Sequence, residues 1–127
     1  MKMQERDLQA WIQLEAARQH GSLLMRNNSG VCMTERGVPV RFGLGNDSKR
    51  LNQVFKSSDL IGITPVKCQC GITRGIFTAV EVKTPGWLRS PCNKTEKAQG
   101  AFIDMIRSKG GIALFASDKR DINHVFS

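Results

Sequence analysis

The segment GIFTAVEVK, residues 75–83, constrains the fold more than any other part of the chain. It is the strongest strand signal present, an apolar and β-branched run bounded by turn formers. Thr84, Pro85 and Gly86 break it at once. Alternate side chains of a strand share a face, so Glu81 and Lys83 point the same way as Phe77 and Ala79, and Ile76, Val80 and Val82 point the other way. Two charges therefore end an otherwise apolar strand. Either the strand's end reaches water, or the Glu-x-Lys pair performs chemistry.

The flanking sequence supplies the other elements. Residues 5–20 are expected to form a helix closed by Gly21, with Leu8, Trp11 and Ile12 on its apolar stripe. The slot seven after Leu8 holds Glu15, which puts a carboxylate on or near the inward face, where it needs a cation, a metal or a proton. Residues 22–46 read as short strands joined by turns at RNNSG and ERG, and residues 47–58 as a polar, basic connection with a helical turn. SDLIGI, residues 58–63, is a short strand with Asp59 near its start, and residues 64–74 read as a loop. The helix TEKAQGAFIDMIRSKGG is expected to be capped by Thr95, to end at Gly110 or Gly111, and to turn Ala98, Ala101, Phe102, Met105 and Ile106 inward. IALFA, residues 112–116, reads as a buried strand, and Ser117 can cap a last helix, DKRDINHVF. A helical crossover between strands 76–83 and 112–116 makes them parallel neighbours. The expected architecture is α/β: a small mixed β-sheet flanked by helices. With 127 residues, one domain spanning 1–127 is expected.

Folding 58–63 back onto 76–83 as an antiparallel pair sets Ile63 opposite Phe77 and Asp59 opposite Glu81. Directly opposite residues share a face at a Cβ separation of ~4.5–5.5 Å, and a slip of one position would lose that alignment. Two carboxylates then converge beside the Lys83 ammonium. Like charges so close need a cation between them. Mg²⁺ suits the site because it takes oxygen ligands, with Mn²⁺ as a substitute, and the backbone carbonyl of Val82 offers a further oxygen. Such an ion would make water a better nucleophile and neutralise phosphodiester charge. Lys83 would orient or deprotonate that water.

The net charge is +8, spread along the chain, which points to a polyanionic partner such as nucleic acid. Arg26, Arg41, Lys49, Arg50, Lys56, Lys67, Arg74, Arg89, Lys94 and Lys97 are the candidate phosphate contacts. The lack of Tyr argues against a single-strand stacking platform, and Trp87 either stacks on a base or covers the core. Cys68 and Cys70 form C-x-C without a nearby His, so free thiols are expected for all four cysteines. No apolar stretch approaches the ~20 residues of a membrane span, and the first residues lack the apolar core of a signal peptide. A cytoplasmic location follows as the expectation.

Asp59 followed by Glu81-Val82-Lys83 resembles the PD-(D/E)xK nuclease signature. The segments GSLLMRNNSG, VRFGLGN, KSSDLIGITPV, GIFTAVEVKTPGW and AQGAFIDMIRSKGGIALFA are similar to the VRR-NUC branch in its compact stand-alone form typical of phages. Ser58 stands where the family usually has Pro. The resemblance implies a restriction-endonuclease-like core and metal-dependent phosphodiester hydrolysis. It makes Asp59 and Glu81 metal ligands and Lys83 the catalytic lysine. Glu15 on the first helix and Gln99 on the helix after the strand join the site. Stand-alone members resemble homodimeric enzymes that resolve Holliday junctions, and C2 symmetry supplies two sites for two symmetric cuts. The expected function is a Mg²⁺-dependent endonuclease acting on branched DNA in the host cytoplasm. The alternatives are a non-catalytic basic DNA-binding module on a nuclease-like fold, or a nicking or flap nuclease with the same site.

Overall fold

Leu8, Ile12 and Ala16 recur at one-turn spacing, and residues Glu5–His20 form helix α1 with these three buried. Gly21 takes a left-handed φ of 69° and closes the helix by bonding to the carbonyls of Ala16 and Ala17. Three short strands follow: β1 (Leu23–Arg26), β2 (Gly30–Met33) and β3 (Pro39–Phe42). Ser48 caps helix α2 (Lys49–Val54) by accepting from the Leu51 N–H. Then come β4 (Leu60–Lys67), β5 (Thr73–Val82), α3 (Lys94–Ser108), β6 (Ile112–Ala116) and a 3-10 turn at Lys119–Ile122. The structure, a computed structural model, describes residues 4–124.

The fold is mixed α/β, a small mixed sheet flanked by helices. Its four strands run in the order β1-β4-β5-β6, and β2 and β3 form a separate two-stranded ribbon. β4 pairs antiparallel with both β1 and β5, while β5 and β6 are parallel. Ile63 lies opposite Phe77, the register expected from the sequence. One face of the sheet packs Leu60, Val80, Val82 and Leu114 against Leu8, Ile12 and Ala16 of α1. The other face packs Ile61, Ala79 and Ala113 against Phe102 and Ile103 of α3.

Several local expectations are corrected. β4 and β5 run well into the segment read as a loop, leaving only residues 68–72 as a turn. Pro65 is accommodated because β1 pairs only with Leu60–Ile63, so that stretch of β4 is a sheet edge. Asn93, not Thr95, caps α3, its side chain accepting from the Glu96 N–H. The last helix is a short 3-10 turn capped by Asp118 rather than Ser117, and residues 125 and 126 of that expectation lie outside the described residues. Cys68 and Cys70 form a disulfide instead of free thiols, because the tight turn brings their Cα atoms to 5.2 Å, within bridging range. Cys32 and Cys92 are free and exposed. Among the described residues, no helix is long and apolar enough to cross a membrane.

Candidate functional site

Asp59 and Glu81 sit one step beyond the Leu60–Val80 pair, where β4 and β5 reach their common end. By alternation both belong to the α3 face, with Ile61 and Ala79. Asp59 is fixed from both sides. Its carboxylate Oδ2 accepts the Val82 N–H at 2.9 Å, and its carbonyl accepts the Asn27 N–H at 2.7 Å. Glu81 is only 4% exposed. Gln99 reaches down from α3 and donates Nε2 to Glu81 Oε1 at 2.8 Å. Among the described residues no donor reaches the buried Glu81 Oε2, and Gln99 Oε1 is likewise buried without a donor.

These surroundings set the electrostatics. Burial first, and then the neighbouring Asp59 carboxylate, push Glu81 up to about 9, with Lys83 partly opposing. Such a carboxyl holds a proton unless a cation takes its place. Lys83 Nζ lies 3.9 Å from Glu81 Oε1, on a side chain only 16% exposed.

The loop after β5 holds Lys83 in turn. Its ammonium lies 5.7 Å from the centre of the Trp87 ring, within cation–π range. Trp87 packs on Phe115 with ring centres 5.0 Å apart and donates its indole N–H to Glu96 Oε1 at 2.6 Å. Ser90 N–H donates to the other oxygen of Glu96 at 2.8 Å. The hydrogen bonds from Trp87 and Ser90 hold the Glu96 carboxyl below its usual range. Trp87 thus covers the core and at the same time backs Lys83. Glu96 is missing from the sequence reading because its partners are brought to it by the Pro-Gly loop.

Glu15 does not join the site. It accepts from Arg18 Nη2 at 2.6 Å and from Gln19 Nε2 at 2.9 Å, and these bonds, Arg18 first, hold its carboxyl down to about 2. The buried stripe of α1 follows Leu8, Ile12 and Ala16, which turns Glu15 off the inward line. Glu5, at the helix start, is the α1 carboxylate that senses the site. Burial first, then Asp59, raise its pKa, and Lys83 opposes. Its signal in the sequence is its place in the first turn, three residues before Leu8.

A cleft of about 350 Å³ opens over the carboxylates, lined by Asp59, Glu81 and Gln99 and walled by the β1–β2 turn, β3 and α2. Of the candidate phosphate contacts, Arg41 and Lys56 line this cleft. Lys94 and Lys97 border a neighbouring groove against Gln53, and Lys49 and Arg50 are exposed on α2. Arg89 folds over the Phe115 ring at 5.1 Å. Arg26 shares the face of its partner Leu60, opposite to that of Asp59. Arg74 and Lys67 lie at the far end of the hairpin, opposite Val66 and Thr73. At ~3.3 Å per residue, that separates Arg74 from Glu81 by about 23 Å, so the structure takes both away from the site.

Among the described residues, no group of three or more His, Cys, Asp or Glu side chains is gathered to hold a metal ion. Asp59, Glu81 and a backbone carbonyl are the donors at hand, all hard oxygens of the kind Mg²⁺ takes. The unpartnered Oε2 of a buried carboxylate beside a second carboxylate fits such an ion. Compared with known proteins, the chain matches no family model, no curated protein and no solved structure. The chemistry of the site therefore carries the functional reading.

Proposed function

We propose that this chain is a metal-dependent endonuclease of the VRR-NUC kind, with a restriction-endonuclease-like core, that hydrolyses phosphodiester bonds in branched DNA in the cytoplasm. The observation that carries the reading is the pairing of Asp59 with a buried, under-satisfied Glu81 at the floor of a cleft, with Lys83 Nζ 3.9 Å from Glu81. Asp59, Glu81 and the Val82 carbonyl would hold Mg²⁺, or Mn²⁺ in its place. When bound, that ion neutralises phosphodiester charge and lowers the pKa of water. Lys83 orients the attacking water and stabilises the negative charge that develops on the phosphate. Gln99 fixes Oε1 of Glu81, and Asp59 is fixed by the Val82 N–H. Arg41 and Lys56 hold the phosphate chain in the cleft.

A homodimer is part of the proposal. α3 covers only part of its face of the sheet, and Leu23, Ile63 and Phe77, cross-strand neighbours on β1, β4 and β5, are exposed there. A continuous apolar row of this kind suits a self-complementary contact.

The test is cleavage of linear duplex, flap and four-way DNA by wild type and Lys83→Ala, with Mg²⁺, Mn²⁺ or EDTA. Cleavage that needs the metal and is lost in Lys83→Ala is expected. Metal-independent cutting, or full activity in the variant, overturns the mechanism. Tight binding with no cutting under any condition would instead establish a non-catalytic DNA-binding module.

A further inference from the structure

Access to the two carboxylates is narrow. Glu81 is almost wholly buried, and the cleft above it measures about 350 Å³, near the lower end of the ~300–1,000 Å³ that hold one small ligand. That is room for one nucleotide inside the cleft.

Its walls are tied together by amide side chains. Asn46 donates to the carbonyls of Gly30 and Phe42 and accepts from Arg41, which ties the β2–β3 ribbon into one wall. Asn27 donates to Ser57 Oγ and to the Ser58 carbonyl, tying the β1–β2 turn to the segment before β4. Two cations are held ready on these walls. Among the described residues, Arg41 gives Nε and Nη2 to Asn46 and leaves Nη1 unengaged, and Lys56 gives one hydrogen to Asn52 Oδ1 at 2.5 Å and leaves two unengaged. Asn28 and Asn52 present further amide groups, and none of the described residues that line the cleft is aromatic. Hydrogen bonding to base edges and phosphate is available there, and stacking is not.

We propose that this cleft is a subsite for one unpaired nucleotide, so that the cut phosphate must belong to an unpaired stretch of the DNA strand. A paired strand keeps its bases stacked against the partner and cannot send a nucleotide between the Asn28 and Asn52 walls. Arg41 and Lys56 grip the flanking phosphates, and the amides engage the base. Selectivity for branched DNA then comes from admission of a nucleotide that is unpaired at the branch point, as in a flap or an opened junction, beside any recognition of overall shape. This inference rests on the nuclease reading.

The experiment compares a continuous duplex, the same duplex carrying an unpaired bulge, and the free single strand, using wild type, Asn28→Trp and Lys56→Gln. Cleavage is mapped with Mg²⁺, and binding is followed by fluorescence anisotropy in EDTA. Asn28 is exposed at the cleft mouth, so the tryptophan fills the cleft without entering the core. Cuts at unpaired nucleotides, at least about tenfold faster than in the duplex and slowed about tenfold by Asn28→Trp with unchanged melting, are expected. Equal cutting of the continuous duplex, or an Asn28→Trp protein as active as wild type, overturns the proposal. If wild type cuts nothing, the nuclease reading fails and binding decides the subsite. Preference for the unpaired DNA that both variants weaken supports it, and equal binding of all three DNAs overturns it.

Discussion

Gln99 donates its side-chain amide to Oε1 of Glu81 at 2.8 Å, joining the middle of α3 to the end of β5. That bond leaves Oε2 as the buried oxygen without a partner. In the proposed mechanism Gln99 positions the Glu81 carboxylate for the metal ion. Gln99→Ala should lower cleavage by about 10–100-fold and raise the Mg²⁺ concentration needed for half activity. A metal titration of initial rates checks this, and an unchanged metal requirement would remove Gln99 from the site.

Lys83 is expected to act on the reaction rather than on binding. Lys83→Ala should cut kcat by about 10²–10⁴ while KM stays within about twofold. Trp87→Leu, which removes the ring behind the ammonium, should lower kcat less. Steady-state kinetics measure both.

The two glutamates of α1 should separate cleanly. Glu5→Gln should reduce cleavage by about tenfold, because its carboxylate contributes to the field at Asp59 and Lys83. Glu15→Gln should leave cleavage within about twofold of wild type, since its partners are Arg18 and Gln19. The reverse ranking would restore Glu15 to the site.

Glu81 ties stability to pH and metal. The folded protein holds the Glu81 proton more tightly than the unfolded chain, since burial raises its pKa to about 9. Its contribution is therefore fully present below the ordinary carboxylate value and is lost as pH rises through the folded value. Without metal, Tm should fall between about pH 5.5 and pH 8.5 by more in wild type than in Glu81→Gln. If the proposed Mg²⁺ takes the place of the proton, it should raise Tm more at the alkaline end, and Glu81→Gln should abolish that gain. Calorimetric scans at both pH values provide the measurement.

Gly62 is fixed by the close approach of β1. A Cβ there would fall 1.7 Å from the Leu23 carbonyl oxygen, so Gly62→Ala must push β1 off β4. A loss of about 1–3 kcal/mol or more is expected from urea unfolding. At Gly100 the nearest atoms to an added Cβ belong to the end of the Arg89 side chain rather than to backbone, so Gly100→Ala should cost far less.

Most of the framework was legible because it is local. The alternation in GIFTAVEVK assigned faces to Val80, Glu81 and Val82, and the pattern of IALFA after a helix gave a parallel neighbour to β5. The turn at Cys68–Ile72 was misjudged as a long loop because Pro65 reads as a strand breaker, and only the missing neighbour on that edge of β4 makes it harmless. Of the stripe Ala98, Ala101, Phe102, Met105 and Ile106, Ala98 and Phe102 are buried and the other three are half-buried, while Ile103 joins the core beside Phe102.

The sequence by itself determined that Asp59, Glu81 and Lys83 would share one end of one sheet, because period-two alternation and a hairpin register leave few other solutions. Only the tertiary structure decided which glutamate of α1 lies near them, how Trp87 and Glu96 back Lys83, and how narrow the approach to the carboxylates is. Helical periodicity assigns a residue to a face but says nothing about which end of that face crosses which end of the sheet. That crossing is set by packing of Leu8, Ile12 and Ala16 against the β-strands, and it puts Glu5 at the strand ends and Glu15 out beside Arg18.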